Sequence, residues 1–422
     1  MRRSRKIGGI MIAVMFLMAF LAIHGESFFG DEGFHFEQLR RFHEGDFSID
    51  HQLTMLPGYH LVLFAFSRAA GIHDLNFYRF INILISLLSV AVFRAILGIL
   101  HPRATATRVV QYAFLPILFP YFLFVYTDAF SLFVILLALW LFLRHWYTAS
   151  AAMITASLLV RQNNIIWLLF LLAALVLAEL PGFLRIVRQK FILFALLRRI
   201  RERYRTRVTR VRLLSAVAVF IMGIVLFAAF VWWNQGIAIG DKESHPFPSF
   251  HPGNIYFCLF LSFFMFLPLH LSNTKRIITA LRTSRILWPL FLVFFLIFMM
   301  TFVNDHGYNQ GLDSVYLRNR ILTYFTETPT LKMLFFVPVG YSFLSFWTTR
   351  LTWPFSTLLY PATILYLLPS WLVEQRYYFV PMVLFLLFRE SKSSRLETIS
   401  AVYSGTFAIL LFVPVALRWF FL

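Results

Sequence analysis

Two adjacent acids, Asp31 and Glu32, follow an apolar stretch and open the run Gly30-Asp31-Glu32-Gly33-Phe34-His35. Later the chain returns to short polar segments between long apolar ones. These are Tyr126-Thr127-Asp128, Arg161-Gln162-Asn163, Gly240-Asp241-Lys242-Glu243-Ser244-His245, Asp305-His306 with Asp313, and Glu374-Gln375-Arg376-Tyr377-Tyr378. A carboxylate with cations nearby suits group transfer from a lipid phosphate carrier. Phosphate is already a good leaving group, so no general acid is needed, and one carboxylate suffices to take the proton from an attacking hydroxyl. Transfer of a sugar to a hydroxyl then follows the single-displacement logic of inverting hydrolysis. Arg or His donors would stabilise charge on the departing phosphate. Each group also has a plainer reading. Loop acids such as Asp128, Asp305 and Asp313 are commonly just solvated, and Glu374 with Arg376 is as well explained by an ion pair as by a substrate contact. Arg161, between two short apolar stretches, needs a carboxylate or phosphate partner if it is buried.

The elements that must position these residues are membrane spans. Of 422 residues, 60% are hydrophobic and 14% charged, against about 45–50% and about 25% in soluble domains. The excess is gathered in runs long enough to cross a bilayer, which predicts an all-α polytopic integral membrane protein with about 13 transmembrane helices. The expected spans are 7–24, 77–99, 109–126, 129–145, 150–161, 165–180, 213–233, 254–272, 286–303, 332–349, 354–372, 376–389 and 399–418, in a single membrane domain over 1–422. The first span reads as an uncleaved anchor, because Ala22-Ile23-His24-Gly25 is a poor cleavage site. Val160 to Asn164 reads as a tight hairpin between two short spans. The first loop, 25–76, is expected to be structured: Phe36, Leu39 and Phe42 recur every three residues, as in a helix lying on a membrane surface, and Leu61 to Phe66 suggests a second.

The formal charge of +19 would suggest nucleic acid in a soluble protein, but the basic residues sit in loops and no nucleic-acid motif accompanies them. With the N-terminus in the cytoplasm, roughly 27 of the 38 basic residues fall on the cytoplasmic side and about 15 of the 19 acids on the other. The cytoplasmic set includes the segment 184–212 and Lys275, Arg276, Arg282, Arg285, Arg350, Arg389 and Lys392. The dense run within 184–212 fixes topology and touches anionic lipid heads. The single cysteine, Cys258, allows neither an internal disulfide nor a cysteine metal site. P-loop, GxGxxG, HExxH, CxxC and GxSxG patterns are absent from the sequence, so neither cofactor nor metal is expected.

The polar segments, taken in order, resemble the dolichyl-phosphate-glucose-dependent alpha-1,2-glucosyltransferases of the N-glycan precursor pathway. The matching stretches are Asp31 to His35 with Glu44-Gly45, Thr54 to Gly58, Arg79 to Asn82, Tyr126 to Asp128, Arg161 to Trp167, Asn234 to His245, and Leu372 to Tyr378 with Pro381. The resemblance covers about residues 25–385. It implies a GT-C-like fold in the endoplasmic reticulum membrane, with a lumenal active site. It implies a dolichyl phosphate glucose donor, a dolichyl-diphosphate oligosaccharide acceptor and inversion at the transferred sugar. Carried over residue by residue, Asp31 is the base. Glu32 and His35 shape the pocket, and Asp128, Arg161, Gln162, Asp241, His245, His306, Glu374 and Arg376 contact sugar or phosphate. The family's Asp-Asn-Arg-His-Tyr run is not kept. Here the region reads Asp305-His306-Gly307-Tyr308 and later Tyr316, with His306 and Tyr316 as the counterparts that remain. The alternatives are a related polyprenyl-phosphate-sugar transferase of other sugar specificity, or a non-catalytic or transport membrane protein. A transporter would place its ionisable groups near the midplane, whereas here they cluster at span ends.

Overall fold

The computed structural model describes residues 2–102, 105–179 and 207–422. Residues 184–206 of the expected basic cytoplasmic segment fall outside these. Among the described residues every named element is helical, and the only β pairings are two isolated bridges, Tyr316 with Phe421 and Leu351 with Arg389.

The apolar runs become helices in the expected places: α1 (Arg2–Ile23), α4 (Leu75–Leu100), α6 (Thr127–Leu143), α7 (Tyr147–Ala156), α8 (Ile165–Glu179) and α9 (Arg207–Asn234). After these come α10 (Gly253–Met265), α11 (Leu267–Thr283), α12 (Leu287–Thr301), α14 (Pro329–Thr348), α15 (Leu359–Leu367), α16 (Phe379–Phe388) and α17 (Ser394–Ala416). The first loop carries α2 (Glu32–His43) and α3 (Gly58–Ala70), and α13 (Leu317–Thr326) follows the polar run after α12. By length and composition, four helices among the described residues can cross a membrane, and five if the bent pair α10–α11 is one span.

Several helices are shorter than the expected spans, α15 within 354–372 having nine residues and α16 ten, and two expected spans are broken. The stretch 109–126 is not one helix: α5 (Thr105–Ala113) ends early, and the chain continues as turns with a single 3-10 turn at Pro120–Phe122. Pro116 and Pro120 explain the break, since each lacks an N–H and its ring clashes with the preceding turn. Irregular backbone at membrane depth is tolerated only inside protein, and Leu115 to Tyr126 is buried throughout. Its free carbonyls find donors on α4. Asn82 Nδ2 donates to the carbonyls of Tyr121, Phe122 and Phe124 at 3.2, 3.3 and 2.7 Å, and Ser86 Oγ donates to Phe122 at 3.2 Å. Arg79, Asn82, Ser86 and Ser89 are spaced three, four and three residues apart, so they form one polar stripe on α4. The second difference is 254–272, where α11 leaves α10 at 100° after Phe266.

The hairpin at Val160–Asn164 is present as two short 3-10 turns between α7 and α8. In the first loop, Leu39 of α2 and Tyr59 and Leu63 of α3 form a small core with Tyr78 and Ile81 of α4. Cys258 is buried and unpaired in α10.

Candidate active site

Asp31 sits just before the first turn of α2, yet its carboxylate does not cap that helix. One oxygen meets Arg376 Nη2 at 2.9 Å and the other accepts from the Tyr316 hydroxyl at 3.1 Å. The backbone holds this pose. The Asp31 N–H donates to the Tyr126 hydroxyl, which donates onward to the Phe29 carbonyl at 3.0 Å. Gly30 has φ +54°, and a Cβ there would come within 2.6 Å of the Phe421 ring and 2.5 Å of the Tyr126 hydroxyl. Only glycine therefore lets Asp31 turn toward Arg376.

Behind Asp31 the charges alternate. Arg376 Nη2 also meets Glu374 Oε2 at 3.2 Å, and the same oxygen meets Arg318 Nη1 at 2.6 Å. Two acids and two guanidinium groups thus form a neutral row, as buried charges require. The Arg376 guanidinium lies over the Tyr126 ring and that of Arg318 over Tyr316. Exposure falls along the row from 30% for the Asp31 side chain to 13% for Arg376 and none for Glu374. Asp31 is therefore the acid of the row that a substrate reaches.

A second ion pair joins Asp128, in the first turn of α6, to Arg161 at the hairpin. Arg161 has the carboxylate partner its burial demands, and its guanidinium lies 5.4 Å from the Tyr377 ring, next in sequence to Arg376. Asp128 Oδ2 and Glu374 Oε1 are buried without hydrogen-bond partners.

His35 is buried beside the row, its Nδ1 2.9 Å from His60 Nε2 and its ring 5.4 Å from that of Tyr126. Burial, then the positive fields of Arg376 and Arg161, push it down to about 3, so it is a neutral wall. Asp241, His245 and His306 make a separate rim. His306 accepts from the Tyr308 N–H on Nδ1, so its Nε2 donates to the Ser244 carbonyl at 2.9 Å. The His245 ring lies 6.5 Å from that of His306 and its Nδ1 3.5 Å from Asp241 Oδ2. Burial lowers the His245 pKa against the pull of Asp241, and Arg376 adds to the lowering.

Two expected site residues point elsewhere. Glu32 is fully buried and pairs with Arg79 at 2.6 Å, while its oxygens also accept the Phe29 and Val125 N–H groups. Arg79 in turn donates to the carbonyls of Ile23, Glu26 and Ser27, binding the end of the first helix to the loop. Gln162 Nε2 donates to the Thr54 and Ile237 carbonyls, where two loop segments run side by side. Ile239, Gly240 and Asp241 there donate to the carbonyls of Thr54, Leu53 and His51. A Cβ on Gly240 would lie 2.1 Å from the His51 carbonyl oxygen.

Arg318 and Tyr126 escaped the sequence reading as site residues. Tyr126 stands beside Asp128 in a quoted polar segment, and only the fold turns its hydroxyl to Asp31. Arg318 follows Tyr316 by two in the first turn of α13, with Arg320 two residues on, and neither arginine has a spacing that marks it for the site.

The DIE2/ALG10 family model matches residues 26–387. A human relative named Dol-P-Glc:Glc(2)Man(9)GlcNAc(2)-PP-Dol alpha-1,2-glucosyltransferase is 26% identical over 397 residues, covering 84% of this chain and 82% of the relative. One of the same name from Candida albicans is 28% identical over 306 residues, covering 67% of this chain and 62% of the relative. Among solved structures, ArnT from Cupriavidus metallidurans bound to undecaprenyl phosphate aligns with a TM-score of 0.47 at 15% identity, covering 97% of this chain and 77% of ArnT.

Proposed function

The chain belongs to the DIE2/ALG10 family, and from that premise we propose that it transfers glucose from dolichyl phosphate glucose to the dolichyl-diphosphate oligosaccharide, forming the terminal alpha-1,2 bond. The observation that carries the mechanism is the Asp31 carboxylate, partly exposed and held between Arg376 and Tyr316. As the acceptor hydroxyl oxygen attacks the anomeric carbon, the bond from that carbon to the phosphate oxygen breaks and the hydroxyl proton passes to Asp31. The leaving dolichyl phosphate takes the electron pair, and Arg376, with Arg161 beyond it, stabilises its charge. One displacement inverts the anomeric centre. The Asp128–Arg161 pair and the rim histidines His245 and His306 flank the sugar, while Glu374 holds Arg376 from behind.

The setting we propose is a single GT-C-like membrane domain of about 13 crossings in the endoplasmic reticulum. Its N-terminus is cytoplasmic and its site lumenal, as the distribution of basic residues supports. The test is Asp31→Asn, with lipid-linked oligosaccharides read from cells that depend on this chain. General-base loss costs about 10²–10⁴-fold in rate, so the pool should stall one glucose short while the protein remains folded. Near-normal turnover would remove Asp31 as the base. Glu32→Gln is the contrasting variant: it unbalances the buried Arg79 and lowers the yield of folded protein, not the turnover of what folds.

A further inference from the structure

The far end of α16 carries its own concentration of charge. From Phe379, just after Arg376, the helix runs 10 residues, about 15 Å, to Phe388 and then Arg389. There Glu397 is shared between Arg389 at 2.7 Å and Arg108 at 3.2 Å. Next to them Arg276 pairs with Glu390, and the Lys392 ammonium donates to the Ser272 carbonyl at 3.1 Å. Burial, then the field of Arg276, push Lys392 down to about 8. Four cations thus face two acids, and the excess is positive.

Against this cluster opens a groove of about 560 Å³, lined by Lys275, Arg276 and Arg350 with Thr279, Thr283 and Trp347 among others. Its lining holds no carboxylate. Among the described residues neither Lys275 nor Arg350 has an acid partner, and Arg276 is half-engaged by Glu390. The elements that form it have the character of a membrane surface. α11 leaves α10 at 100°, buries Leu269, His270, Asn273 and Ile277, and exposes Leu271 and Ile278 beside its cations. Trp347 and Trp288 are both 58% exposed, and tryptophan favours the headgroup depth of a bilayer. From Trp288 the outer face of α12 continues as exposed Leu292, Leu296 and Met300.

We propose that this groove binds the phosphate of an anionic phospholipid headgroup, at the end of the molecule opposite Asp31. Lys275 and Arg350 meet the phosphate, and Trp347 packs against the glycerol region. Acyl chains then follow the exposed apolar face of α12. Charge complementarity selects the ligand, and the adjoining apolar surface selects a lipid over a free ion.

The full chain in detergent, titrated with phosphatidylserine and with phosphatidylcholine under native mass spectrometry, tests this. Wild type should bind phosphatidylserine about 30-fold more tightly than the double variant Lys275→Gln/Arg350→Gln, two surface cations having been removed. Arg282→Gln, on the same helix but outside the groove, should match wild type. Equal binding by the double variant, no preference for phosphatidylserine over phosphatidylcholine, or displacement by equimolar inorganic phosphate would overturn the proposal. Should the double variant fail to assemble, quenching by brominated phosphatidylserine decides. A quenched component present in wild type and missing in Trp347→Phe is expected, and identical quenching in both defeats it.

Discussion

His35 and His60 share one hydrogen bond in a place that water does not reach, and that makes them a liability in acid. Burial lowers both below the ordinary 6.5, His35 to about 3. The unfolded chain takes up protons as pH drops through about 6.5, and the folded one does not. The contribution of His35 is therefore whole above about 6.5 and is lost progressively toward about 3, at up to about 1.4 kcal/mol per pH unit, and His60 acts in the same direction. Melting temperature should fall on acidification from neutral pH, and the slope should flatten in His35→Gln/His60→Gln. A slope unchanged by the pair would show that other groups set the acid limit. The adjacent acids 31 and 32 divide along the same line of burial. Glu32 spends its oxygens on Arg79 and two backbone N–H groups, and only Asp31 keeps an outward edge.

At the scale of elements, α4 is the piece on which the site rests. Its polar stripe supplies the hydrogen bonds that the proline-broken segment between α5 and α6 lacks, and that segment delivers Tyr126 to Asp31. Asn82→Leu leaves those carbonyls unmet and should cost about 1–3 kcal/mol in denaturant titration. Stability equal to wild type would assign the segment's hold to packing alone. Much of this was legible beforehand. Hydropathy located the runs that became helices, the triplet Phe36, Leu39 and Phe42 announced α2, and the polar junction at Arg161 marked its hairpin. The break within 109–126 was less so, because an apolar run scores as a span whether or not Pro116 and Pro120 interrupt its helix. The 100° bend at Phe266 follows from packing rather than composition. At the site, residue type pointed to Asp31, Arg161 and Arg376, but which arginine meets which acid is a long-range matter. Arg161 turned out to serve Asp128, and Glu374 was claimed by Arg318, far away in sequence.

For the whole molecule, alternating charge along the row from Asp31 to Arg318 at one end of α16 is balanced by the Arg108, Glu397 and Arg389 cluster at the other. The helix between them, Phe379 to Phe388, is buried along its entire length. The two ends are thus held at a fixed separation, and the proposed orientation assigns them to opposite compartments. The sole cysteine makes that assignment simple to check. Cys258 lies within α10, its thiol pinned away from solvent, so the unaltered chain should stay silent toward a membrane-impermeant maleimide. One new thiol per variant then reports without background: His51→Cys should react only once the lumen is opened, and Thr283→Cys in sealed vesicles. Reaction of both from one side would reverse the assignment. A chain of this size with a single shielded thiol is in effect already prepared for labelling, and spectroscopic probes can be placed on either face without first removing native cysteines.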